Sequence, residues 1–521
     1  MSFAASFRLL EASESSTLLL WLKVQQRGIL SVGVILGVIV LYTIRYFASP
    51  YRKLPPGPRG YPIIGNLLEL KTGQWLKFAS WRKDYGELIY LNVAGQPIVV
   101  LNSHRVAVDL LDRRSGIYSD RPRSIVAGDI MTGGLIFALA QYGDTWRRMR
   151  KASHEGFNKG AVKRFYETQT TEAVFLACDL LAEPAKWNRH FLRAAASTIL
   201  SVLYKYPSLT SEQDHVVLAI TGFADRVTRA AYPGAYLVEF FPWMRYIPSS
   251  MAKWKRDAEE CFKDGSAMFE GLLHAVEANV AKGDDHQSLG ATLIRDAHKN
   301  KLSSREAIGG TDTSSVALAW WVLAMLAYPE TQARAHAELD AVVGRTRLPT
   351  FADYPHLPYI RQVAPLGLPH RLTEDDWYQG MFIPKGTICI SNIWQINRDP
   401  EIYGENAAHF DPTRHLDANG DIAPGPSDSK EEGHFSYGFG RRECPGRHVA
   451  NSSLFIEIAI TLWASKIERK KDALGKFLPL DLDGFIDHGV IVPPIPFECE
   501  ITPRFLEASG LLSQERELRM S

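Results

Sequence analysis

The 521-residue chain has almost no surplus charge: 59 Lys and Arg stand against 58 Asp and Glu, a formal net charge of +1. A protein that neutralises a phosphate backbone carries a basic excess, so nucleic acid is not an expected partner. Cysteine is scarce. Its five copies, Cys178, Cys261, Cys389, Cys444 and Cys499, are odd in number and far apart, with no Cys-x-x-Cys element. That pattern argues against a disulfide framework and against a zinc site. Internal repeats and long biased tracts are absent, as is any Ser/Pro/Gly-rich linker between residues 60 and 505. With 46% hydrophobic and 22% charged residues the chain is excluded from the disordered class and is expected to fold as one large body.

Long apolar runs are few, and one has membrane length. Gly28 to Ile44 carries no charge and is rich in Val, Ile, Leu and Gly, which sits near the lower limit for a helix that crosses a bilayer. A cleaved signal peptide is the competing reading, but the run is long for one and no small-x-small site follows it. Lys23 and Arg27 precede the run, whereas Arg45, Arg52, Lys53 and Arg59 follow it. That asymmetry favours a cytosolic body. Leu54-Pro55-Pro56-Gly57-Pro58 then excludes helix and reads as a stiff linker. The expected division is an N-terminal segment 1–27, a transmembrane anchor 28–44, a proline-rich linker 45–62, a catalytic body 63–505 and a C-terminal tail 506–521.

Within the body, Glu87 to Val93 and Pro97 to Leu101 read as a hairpin bounded by Gly86, Gly95 and Pro97. Helical periodicity covers Ser103 to Ser115, Asp144 to Ser153, Ala161 to Leu181, Phe191 to Leu203 and Met251 to Ala281, and returns as an amphipathic pattern over Arg447 to Ser465. Phe382 to Ile390 and Val490 to Pro503 read as strand and loop. The expected class is mainly α with small β sheets.

One cysteine stands apart. Phe435-Ser436-Tyr437-Gly438-Phe439-Gly440-Arg441-Arg442-Glu443-Cys444-Pro445-Gly446 joins a glycine-rich turn to a helix starting near Arg447. Beside Arg441 and Arg442, and at a helix N-terminus, Cys444 is expected to be biased towards the thiolate that binds metal. This segment resembles the cysteine loop of the cytochrome P450 superfamily, Phe-x-x-Gly-x-Arg-x-Cys-x-Gly. Gly440, Arg442, Cys444 and Gly446 match it, and Tyr437 replaces the leading aromatic.

The resemblance implies the family's fold, haem b ligated by Cys444, and Arg442 paired with a haem propionate. It extends along the chain. Trp146-Arg147-Arg148-Met149-Arg150 resembles the family's Trp-x-x-x-Arg helix, in which Trp146 and Arg150 share one face and reach the propionates. Pro369-His370-Arg371 looks like the strand edge where a basic residue meets a propionate, with His370 and Arg371 both open as that residue. Gly309-Gly310-Thr311-Asp312-Thr313-Ser314 resembles the central helix over the haem, where Asp312 and Thr313 relay protons to bound oxygen. The bland reading of the same stretch is a helix N-cap. Ile117 to Leu139 matches the loop over the haem and Ser211 to Pro248 the lid, whose Phe240, Phe241, Trp243 and Tyr246 suggest an apolar ligand or core packing.

The implied activity is insertion of one oxygen atom into a small apolar organic substrate, a secondary metabolite or xenobiotic. Electrons would come from NADPH through NADPH-cytochrome P450 reductase, at the endoplasmic reticulum membrane, with the catalytic body cytosolic. One family element is missing. No Glu in the chain is followed three positions later by Arg, because Leu357-Pro358-Tyr359-Ile360-Arg361-Gln362-Val363 runs straight into Ala364-Pro365-Leu366. The usual partner for Arg414 is therefore absent, and the stretch before Gly309 is also short. The alternatives are an inactive or splice-defective paralogue that keeps the fold, and a membrane-tethered binding protein without haem.

Overall fold

A computed structural model describes residues 33, 36–70, 72–209, 211, 213–232, 234–283, 287–296, 314–357, 367–430, 432–487 and 492–520. The long helices are α1 (Gln74–Tyr85), α2 (Asp144–Phe157), α3 (Tyr166–Ala182), α4 (Trp187–Tyr204), α5 (His215–Ala230), α6 (Lys253–Ala281), α7 (Ser314–Ala327), α8 (Pro329–Val342), α9 (Arg447–Ala464) and α10 (Ala508–Met520). The strands are β1 (Leu88–Val93), β2 (Gln96–Leu101), β3 (His370–Arg371), β4 (Asp376–Tyr378), β5 (Met381–Ile383), β6 (Ile388–Ser391), β7 (Ser465–Arg469) and β8 (Cys499–Pro503). The fold is mainly helical with small sheets, as the sequence pattern predicts.

The larger compact unit spans Pro56–Glu374 and Lys385–Ser521. Its β1–β2 hairpin turns through Ala94 and Gly95 at φ 49° and 90°, the positive-φ geometry that matches strand twist. β2 then pairs in parallel with β6, and β6 antiparallel with β3, giving the order β1-β2-β6-β3. This arrangement fixes His370 opposite Cys389. The helical core is built on α9, which packs against α3, with Phe455, Ile456 and Trp463 meeting Phe175, Leu176, Phe191 and Trp321. From Ser452 to Ala464 every α9 residue except Leu454 is buried. The amphipathic reading of Arg447 to Ser465 is thereby corrected: α9 is surrounded on all sides, so no polar face is required.

Ions pin the same layer. Arg193 of α4 reaches Glu172 at 3.2 Å and Asp179 at 3.2 Å, both on α3, and Asp179 also receives Arg516 of α10 at 3.0 Å. Burial holds the Glu172 carboxyl above its usual range despite Arg193 and Ser197. Residues 506–521, set apart as a tail in the sequence, thus contain a helix docked on α3.

The smaller unit comprises the chain up to Pro55 together with Asp375–Pro384. In it β4 and β5 form a hairpin that turns through Gln379 and Gly380 at φ 50° and 78°, and the Tyr51 and Phe382 rings meet at 5.3 Å. Residues 36–48 are helical, with exposed Leu36, Val38, Ile39, Val40, Leu41, Tyr42, Ile44 and Phe47. Among the described residues no helix is long and apolar enough to cross a membrane. Most of the span 28–33 and residues 34–35 lie outside them.

Candidate active site

The cysteine loop is held in shape by backbone contacts. Gly440 has φ 62°, and a Cβ there would collide with the Leu111 carbonyl oxygen, so this position requires glycine. Its N–H donates to Asp112, which sits on the π-helical turn Val108–Arg113. The Cys444 N–H donates to the Tyr437 carbonyl at 2.9 Å, and the Tyr437 hydroxyl donates to Asn451 at 2.5 Å. Gly446, by contrast, has an ordinary φ of −86°. The backbone does not demand glycine there.

Cys444 is half-buried immediately ahead of α9. Burial pushes its thiol above the ordinary value, and the Gly446 N–H together with Arg150 and Arg447 only partly offsets that, while Glu443 adds to it. The expectation that Arg441 and Arg442 bias it to thiolate is therefore corrected. Arg441 is exposed and donates to the Tyr142 hydroxyl, and Arg442 turns the other way.

Arg442 is buried, donating to the carbonyls of Ser119 at 2.7 Å and Ala140 at 2.8 Å. Its guanidinium lies 4.2 Å from the Trp146 ring centroid. Trp146 is itself buried between Phe137 at 5.5 Å and Tyr142 at 5.3 Å. Two donors in this pair, Arg442 Nη1 and Trp146 Nε1, are buried without a hydrogen-bond partner among the described residues. An orphaned buried N–H costs about 1–3 kcal/mol, more when charged, so two adjacent ones call for an acceptor.

Two further basic groups converge here. His370 is buried, with Nδ1 2.8 Å from the Tyr118 carbonyl, and burial beside Arg121 and Arg442 lowers its pKa to about 3. It is neutral. Arg121, which motif reading missed, donates to the carbonyls of Ala138, Leu368 and Pro369, and burial next to Arg442 lowers its pKa to about 9. The available signal was an arginine directly ahead of Pro122. Arg442 is likewise depressed to about 10, chiefly by burial. Asp120 tempers Arg121 and Arg442, but its carboxylate is also bound by the Tyr142 N–H at 2.8 Å.

The structure separates other pairs that the sequence leaves together. Adjacent strand residues point to opposite faces, so His370 joins the cluster while Arg371, half-buried, lies towards Gly386. Arg150 shares a helix with Trp146, but its Nη1 donates to the Glu443 carbonyl beside Cys444. Asp312, Thr313 and the junction after Leu357 lie outside the described residues. In the lid, Phe241, Trp243 and Tyr246 are exposed, and Phe240 is only partly covered. Their exposure does not fit the core-packing reading. The lid is instead tied down by Glu239, whose carboxylate accepts the N–H groups of Ile125 and Val126 at 2.9 Å each. Arg414 is not orphaned either: its guanidinium donates to the carbonyls of Asn406, His409 and Asp411.

A cysteine at the head of a buried helix and a basic cluster with unanswered N–H groups fit a haem-thiolate centre, in which carboxylates of the porphyrin meet the cluster. Comparison with known proteins gives the family: residues 55–476 match the model for cytochrome P450, and the chain belongs to that family. It is 60% identical over 500 residues to a cytochrome P450 monooxygenase of Armillaria gallica, covering 92% of this chain and 96% of that one. A monooxygenase of Postia placenta, cytochrome P450 monooxygenase 58, is 44% identical over 534 residues, covering 98% of each. That alignment is longer than the 521-residue chain, so it includes positions for which this chain has no residue. Among solved structures, a zebrafish cytochrome P450 with abiraterone superposes with a TM-score of 0.63 at 23% identity, over 83% of this chain and all of that one, a likeness of fold. The chain is an oxidoreductase of the monooxygenase type.

Proposed function

We propose that the chain holds haem b through Cys444 and inserts one oxygen atom from dioxygen into a small apolar organic substrate, a secondary metabolite or xenobiotic. Electrons come from NADPH by way of NADPH-cytochrome P450 reductase. The observation that carries this reading is the pair of buried, unpartnered donors, Arg442 Nη1 and Trp146 Nε1. They would donate to the propionates, with neutral His370 beside them and Arg121 adding positive potential. A thiolate-ligated haem, when bound, supplies dioxygen activation, because the thiolate's electron push favours O–O cleavage. Cys444 would hold the iron as its thiolate, giving up the proton whose hold burial strengthens. The Gly446 N–H, Arg150 and Arg447 then stabilise the sulfur's charge.

Asp312 and Thr313 are assigned from sequence as the proton relay, with Thr313 timing delivery. Thr313→Ala should raise peroxide release per electron consumed, and unaltered coupling would remove it from that role. Arg147 and Arg441, both exposed beside the cysteine loop, suit an acidic reductase. Electron transfer should then slow as salt rises. The apolar run 28–44 is assigned as an anchor in the endoplasmic reticulum membrane, and deleting residues 1–49 should release the body. The reading as a whole is tested by the carbon monoxide difference spectrum of the reduced protein, followed by product analysis on terpenoid, steroid and aromatic hydrocarbon panels with reductase supplied. A thiolate-type Soret band with an oxygenated product supports it. Absence of haem from the purified protein would overturn it.

A further inference from the structure

The missing Glu-x-x-Arg helix leaves the cysteine loop without the lock that the family resemblance implies, yet the loop is fastened from its outer side. Residues 425–430 and 432 lie close enough that a Cβ at Gly425 would collide with the Glu432 carbonyl oxygen. Two non-glycine residues among them, Asp428 and Lys430, have positive φ, 60° and 55°. Such conformations cost free energy and persist only where the surroundings hold them. Here these two residues make three side-chain contacts with the cysteine loop and its neighbours, and Glu432 adds a fourth partner. Asp428 pairs with Arg113 at 3.1 Å. The Lys430 ammonium lies between Asp112 at 3.1 Å and Glu443 at 3.2 Å. The Glu432 carboxylate accepts from Asn451 Nδ2 at 3.1 and 3.0 Å. Asp112 in turn holds the Gly440 N–H, Asn451 accepts the Tyr437 hydroxyl, and Glu443 directly precedes Cys444.

We propose that Lys430 is a positioning residue for the thiolate ligand: its ammonium bridges Asp112 and Glu443, clamping the Cys444 loop to the π-helical turn Val108–Arg113. Bridging both carboxylates with one cation holds Asp112 on the Gly440 N–H and, with Arg447, screens the Glu443 charge from the sulfur's. The clamp borders an open cleft of about 450 Å³ lined by Val108, Arg113, Ser115 and Arg441 as well, so solvent competes with it. Its effect should therefore be moderate and local.

The test compares the full chain with Lys430→Met and Lys430→Arg. The first readout is amide hydrogen exchange, which needs no cofactor. Lys430→Met should speed exchange of residues 437–447 about three- to tenfold, leave α3 and residues 453–464 unchanged, and be largely rescued in Lys430→Arg. The second is the carbon monoxide spectrum, whose thiolate-type band should decay to the thiol-type band faster in Lys430→Met under mild urea, again with rescue by arginine. Unchanged exchange in the loop would overturn the proposal, as would an increase spread through α3, which would mark a fold-wide role. If the unaltered chain shows no thiolate band, the haem reading fails while the exchange comparison still decides the clamp.

Discussion

The two flanks of the candidate site are built on opposite principles. On the cysteine-loop flank the charges are paired: Lys430 meets Asp112 and Glu443, Arg447 meets Glu443. On the other flank, two buried guanidiniums share the single carboxylate of Asp120: burial depresses both, Arg442 further lowers Arg121, Arg150 further lowers Arg442, and Arg442 Nη1 and Trp146 Nε1 have no partner among the described residues. A satisfied network fixes geometry, whereas an unsatisfied buried one is unstable alone and is retained where a ligand completes it. The first flank is thus read as scaffold for the sulfur, and the second as receptor for an anion.

The largest effect should come from the sulfur itself. Cys444→Ser is expected to abolish the thiolate-type carbon monoxide spectrum, while Cys178→Ser and Cys261→Ser preserve it. A normal spectrum in the Cys444 variant would remove the ligand assignment. Next is a comparison of the chain as it stands with a version carrying helix-length segments after Val363 and before Ile308. Haem content should be higher in the restored version, through recovered packing. The penalty for an orphaned Arg414 does not contribute, because three carbonyls hold that side chain. Equal haem incorporation would show that the fold tolerates both gaps.

A smaller change should follow from Trp146→Phe, which keeps the ring packed on Arg442 but deletes the unpartnered N–H. Haem should bind more weakly by a factor of about ten to a hundred, the worth of one hydrogen bond to a charged acceptor. Titration of the apoprotein checks this, and unchanged affinity would free Trp146 from the receptor role. Smallest is an acid effect remote from the contrast. Burial lowers His336, His415 and His434 from 6.5 to about 4 each. Between those values the unfolded chain takes up protons that the folded chain does not, so stability falls as pH drops from 6.5 towards 4. Urea midpoints at pH 7 and pH 5 should differ, and His336→Gln should narrow the difference. Equal midpoints would contradict the burial of these rings.

Local signals made the β1–β2 hairpin, the cysteine loop and half of the long helices legible, since turn glycines and side-chain period act over a few residues. What the sequence left open depends on distant neighbours. His370 and Arg371 are told apart by the β3–β6 register. Arg121 is buried by carbonyls of Ala138, Leu368 and Pro369, which no local pattern brings together. The charge state of Cys444 was misjudged because proximity in sequence to Arg441 and Arg442 counts for less than burial.

The claim that one flank is an anion receptor is tested most directly by titrating the apoprotein with haem and with haem dimethyl ester, which keeps the iron and ring but lacks the carboxylates. The unaltered chain should bind haem at least about thirtyfold more tightly, as expected for charge-assisted hydrogen bonds in a buried site, and Arg442→Met should erase most of that preference. Equal affinity of the unaltered chain for the two porphyrins would contradict the account.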